Sequence, residues 1–76
     1  MIPEARDLFT ALRELTCHWT RHDLELPREQ ASALGWKFYR LGGEQMMQDA
    51  YYFATSINPA ASVLSAFWDG IGEWKW

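Results

Sequence analysis

The chain has 76 residues, a formal net charge of −3, 49% hydrophobic residues and five tryptophans. That length makes one domain, burying a core that leaves roughly 4,800 Å² of folded surface. The lone Cys17 excludes an internal disulfide, and no apolar run approaches the ~18–20 residues needed to span a bilayer.

Charge is unevenly spread. Residues 1–40 carry six basic and six acidic side chains, whereas residues 41–76 carry only Lys75 against Glu44, Asp49, Asp69 and Glu73. Phosphate binding needs Lys or Arg to release counterions, so the second half is a poor nucleic-acid surface. The N-terminal stretch Met-Ile-Pro-Glu-Ala-Arg-Asp has no basic region followed by an apolar run. A secretory leader is therefore not expected, and the expected compartment is the cytoplasm.

The first predicted helix runs over about 3–22. It places Ala5, Leu8, Phe9, Leu12, Leu15 and Trp19 on one arc at 3.6-residue spacing. Pro3 suits the first turn, and Glu4 and Asp7 favour the positive end of the helix dipole. Arg6, Arg13 and Arg21 line one side of this helix. His18 and His22, four apart, share a polar face with Glu14, Glu4, Asp7 and Ala11. Two imidazoles at that spacing can share zinc, but a zinc site needs three or four fixed ligands, and the glutamate of the metalloprotease pattern is absent from His18-Trp-Thr-Arg-His22. No metal and no cofactor are expected. Cys17 falls between Arg13 and Arg21, without a resolving cysteine or a neighbouring base, and reads as a spectator thiol.

The second predicted helix, about 27–41, carries Pro27, Ala31, Leu34, Phe38 and Leu41 in steps of four and three. Gly42 is expected to end it as the left-handed residue. The third, about 44–57, has Met46, Met47, Ala50, Phe53, Ala54 and Ile57 inward, with Tyr52 opposite. The pair loosely suggests a helix-turn-helix, but the candidate recognition helix opens Glu44-Gln-Met-Met-Gln-Asp49 and has no Arg or Lys to anchor it on phosphates. Asn58-Pro59 stops the third helix and caps the fourth, about 59–69, which presents Ala60, Val63, Leu64, Phe67 and Trp68. Leu8, Leu12, Leu15, Leu34, Phe38, Phe53, Val63 and Phe67 are the predicted core. The tail, 70–76, is too short for a helix. Ile71 and Trp74 are expected to fold back beside Trp68, leaving Trp76 available to a partner.

The predicted fold is therefore all-α: one domain over 1–76, a compact bundle of about four short amphipathic helices with an aromatic C-terminal tail. Residues for nucleophilic or paired-carboxylate catalysis do not assemble, so the chain is read as non-enzymatic. Trp36, Tyr39 and Arg40 lie off the apolar stripe of the second helix, and Trp74 and Trp76 lie in the tail. Trp, Tyr and Arg are the residue types concentrated at binding hot spots, so these five are the predicted protein-binding residues. The function expected is a protein–protein interaction module: an adaptor or inhibitor of a larger protein, or a self-associating homodimer. The partner is expected to be a protein, not a nucleic acid or a membrane. The alternative is a small dimeric DNA-binding regulator using the Arg line of the first helix.

Overall fold

The computed structural model describes residues 3–20 and 26–74. Helix α1 (Pro3–Thr16) is followed by α2 (Arg28–Ile57), a 3-10 helix (Pro59–Val63) and the single-turn α3 (Leu64–Phe67), and no strand occurs among the described residues. The fold is all-α, with three α-helices and one 3-10 segment among the described residues in place of the four α-helices expected.

α2 is two arms, 28–42 and 44–57, meeting at Gly43, whose φ of 69° and ψ of −155° are non-helical. Only glycine enters that region without strain. No atom lies within 4 Å of the position a Cβ would take there, so conformation and not space demands the glycine. The expected break is present but one residue later than Gly42, which stays helical and packs on Met46.

α1 lies across both arms. The Phe9 ring meets Phe38 of the first arm and Phe53 of the second, each at 5.2 Å between centroids. Leu12 is fully buried, and the core continues through Met47, Leu64, Trp68 and Trp74. Of the predicted core, Leu12 and Phe38 are buried, whereas Leu8, Leu15, Leu34, Phe53, Val63 and Phe67 are half-buried around its edge. The tryptophans and Met47 hold the centre because the tail fills space that an isolated bundle would leave to the leucines.

α1 stops at Thr16, six residues before the expected end. The Thr16 hydroxyl donates back to the Leu12 carbonyl (2.8 Å), and the Trp19 amide donates to the Thr16 carbonyl (3.0 Å), turning the chain. The carbonyls this turn exposes are taken by Asn58: its Nδ2 donates to Thr16 O (2.9 Å) and Trp19 O (2.8 Å). Trp19 reaches the core through the turn and not from a helix face, meeting Phe67 edge-on at 6.1 Å.

Asn58 caps the next element as expected, its Oδ1 accepting from the Ala60 amide at 3.1 Å. That element is not the α-helix expected over 59–69. The three-residue period of the 3-10 segment turns Ala61 and Leu64 inward together, and the α-turn adds Trp68 four residues on. Ala61 thus takes the buried place expected of Ala60, which is half-buried. The tail then returns across α2, and Ile71 and Trp74 bury beside Trp68.

Candidate functional site

The first arm of α2 shows how one helix divides its faces. Ala31, Gly35 and Phe38, spaced four and three, are buried. Trp68 lies directly on them: its Nε1 donates to the Ala31 carbonyl at 2.6 Å, and its indole leaves no room for a Cβ at Gly35. Ala31 and Gly35 are thus the seat of an indole. Tyr39, on the neighbouring face, is half-buried, with its ring against Gly72 of the tail.

Trp36 stands on the outside of this arm. Its ring is edge-on to Tyr39 at 6.2 Å and 87°, and it is 43% exposed, against 3%, 0% and 1% for Trp19, Trp68 and Trp74. Arg40, one turn further on, is exposed. The structure therefore brings Trp36, Tyr39 and Arg40 onto one surface, with Tyr39 as the partly covered base and Trp36 as the projecting ring.

Trp74 does not belong to that surface, and its place among the binding residues is corrected to the core. Its Nε1 donates to Trp68 O at 2.9 Å, its carbonyl accepts from Gln48 Nε2 at 2.7 Å, and its ring packs on Tyr51 at 5.5 Å. The tail thus returns an indole to the second arm of α2 and to Trp68. Trp76 lies outside the described residues.

The exposed face of the first arm borders a seam with α1. An open groove of about 440 Å³ runs between Glu4, Asp7 and Leu8 of α1 and Lys37, Arg40 and Leu41 of α2. A second, of about 310 Å³, continues it between Ala11 and Leu15 on one side and Gln30, Ala33, Leu34 and Lys37 on the other. The floor is made of half-buried leucines, and the rims of opposite charge are exposed. Neither Glu4 nor Asp7 is engaged in an ion pair with Lys37 or Arg40 across the opening. Sequence reasoning placed Glu4, Asp7 and Ala11 on a solvated face and did not join them to Lys37 and Arg40. The signal for that lies in the pairing of the helices, which periodicity within one helix does not carry. On the other side of α1, a groove of about 510 Å³ is lined by Ala5, Phe9, Met46 and Phe53 with Asp49 at its edge; Asp49 accepts from Gln45 Nε2 at 3.0 Å.

The polar residues of the first segment lie partly on α1 and partly beyond its end. His18 is exposed past the end of α1, and His22 lies outside the described residues. Among the described residues no three His, Cys, Asp or Glu side chains group closely enough to hold a metal ion. Cys17 is exposed, its thiol 3.8 Å from the Glu14 carbonyl. Arg6 and Arg13 are exposed on α1, and Arg21 lies outside the described residues. No helix among the described residues is long and apolar enough to cross a membrane.

Comparison with known proteins finds no matching family model, no matching curated protein and no matching solved structure.

Proposed function

We propose that this chain is a small non-enzymatic protein–protein interaction module, an adaptor or inhibitor of a larger protein or a self-associating unit, whose docking face is the outer side of the first arm of α2. One observation carries the reading. The fold packs three indoles to 3% exposure or less and leaves Trp36 at 43% beside the exposed Arg40. A bundle able to cover three large aromatics gains by covering a fourth, since burial of apolar area is favourable at roughly 25 cal/mol per Å². An indole left outside, next to a guanidinium, has the composition of a binding anchor with its polar rim. Tyr39 supports it from below through the edge-on contact.

The test is affinity capture from the native cell with the intact chain and with Trp36→Ala and Arg40→Ala, each first checked for an unchanged melting temperature. Specific association, with another protein or with an untagged copy of the chain, should fall at least about tenfold in both variants, as expected of anchors each contributing more than about 1.4 kcal/mol. Association that is unaffected by either substitution removes this face from the function.

A further inference from the structure

Resting on that reading, we infer that the partner of this face is a second copy of the chain, docked along the seam between α1 and the first arm of α2 as a two-fold symmetric, four-helix pairing. The two rims of the seam carry the argument. On α1 the outward row is Glu4, Asp7, Ala11, Glu14, spaced three, four and three. On the first arm the outward row is Gln30, Ala33, Lys37, Arg40, with the same spacing. The grooves place Glu4 and Asp7 across from Lys37 and Arg40, and Ala11 and Leu15 across from Gln30 and Ala33, so the two helices run antiparallel. One rim is acidic, the other basic, and each has an alanine at the inner position.

An interface between identical copies must be self-complementary. A two-fold axis along the seam sets the α1 row of one copy on the α2 row of the other at the same height. Glu4 and Asp7 then meet Arg40 and Lys37, and Ala11 meets Ala33, where two small side chains let the helices approach closely. The exposed halves of Leu8, Leu15, Leu34 and Leu41 from both copies close over the axis, in the manner of a four-helix core. Within one copy the same charges stay unpaired across an open groove. A strongly acidic or strongly basic target would match one rim and be repelled by the other, whereas a second copy matches both. Trp36, one turn before Arg40, borders the pairing.

Sedimentation equilibrium of the intact chain should show a dimer that weakens as salt is raised, because rim charges are screened. Lys37→Glu/Arg40→Glu makes both rims acidic and Glu4→Lys/Asp7→Lys makes both basic. Each variant alone should dimerise at least about tenfold more weakly, and an equimolar mixture of the two should restore a heterodimer. As a check that leaves the charges in place, Ala11→Cys and Ala33→Cys chains, each also carrying Cys17→Ser, should cross-link to each other on oxidation when mixed. A chain still monomeric at about 1 mM overturns the inference, as does a dimer that survives both charge reversals or forms no 11–33 cross-link. A monomer that captures a different protein through Trp36 overturns it while leaving the interaction module standing. A monomer indifferent to Trp36→Ala removes both.

Discussion

Asn58 holds two helix ends with one amide. Its Nδ2 serves the carbonyls left at the end of α1, its Oδ1 caps the 3-10 segment, and its own backbone amide donates to Ala54 O at 2.9 Å to close α2. A lost cap costs about 1 kcal/mol and each lost hydrogen bond a similar amount, so Asn58→Ala should destabilise by about 2–3 kcal/mol in urea denaturation. Asn58→Asp keeps the acceptor for Ala60 but sets a carboxylate against the carbonyls of Thr16 and Trp19. It should therefore cost as much as alanine at neutral pH. A fully stable Asp variant would mean that the donor side of this clasp is idle. The tryptophans offer a second contrast at this scale. Trp68 Nε1 donates to Ala31 O, whereas Trp19 Nε1 is buried without a partner. Replacing either by Phe deletes similar apolar bulk, but only Trp68→Phe also removes a hydrogen bond. Trp19→Phe should thus be the milder change by about 1–2 kcal/mol, read from the same denaturation curves; equal losses would show that packing alone sets both costs.

Among the elements, α2 depends on two glycines for opposite reasons. Gly43 has free space around it and a backbone that other residues resist; Gly35 is helical but has the Trp68 indole 2.6 Å from where a Cβ would stand. Gly43→Ala should cost about 1–3 kcal/mol through conformation alone. At Gly35, alanine would otherwise favour the helix by about 1 kcal/mol, so net destabilisation there measures the clash. Coupling identifies the mechanism. In a Trp68→Phe background the penalty of Gly35→Ala should shrink, while that of Gly43→Ala should not. Equal penalties in both backgrounds would place the Gly35 cost in the helix itself. The break near Gly42-Gly43 and the stop at Asn58-Pro59 were legible in the sequence because glycine pairs and Asx-Pro act locally. The early end of α1 was not, because the group that receives its carbonyls, Asn58, lies about forty residues away.

At the scale of the whole molecule, the tail acts as a structural strap. Trp68 and Ile71 approach the first arm at Gly35, Tyr39 lies against Gly72, and Trp74 binds the second arm through Gln48 and Tyr51. The strap thus touches α2 on both sides of the Gly43 joint. The radius of gyration of 11.3 Å matches the value of about 11.4 Å expected for a close-packed chain of this length. Deleting residues 73–76 should lower stability by about 3–5 kcal/mol, the usual cost of removing a buried tryptophan. A urea midpoint unchanged by the deletion would show that Trp74 does not hold the two arms together.

The sequence by itself determined the helical class, the stops near Gly42-Gly43 and at Asn58-Pro59, the apolar stripe of α1 through Leu15, that of α2 through Ala54, and the return of Ile71 and Trp74 to Trp68; Ile57, expected inward, is instead 43% exposed at the end of α2. Each feature so determined follows from local rules: a 3.6-residue period, a glycine or proline stop, the gain from burying an indole. It also set Trp36 apart, because a tryptophan opposite an apolar stripe is visible in one helix alone. Tertiary structure decided which of the aromatics off the stripe stay outside. Tyr39 is partly covered because Gly72 of the tail lies against its ring, while Trp36 stays outside. It also decided that Glu4 and Asp7 face Lys37 and Arg40, a relation between two helices that neither helix encodes separately.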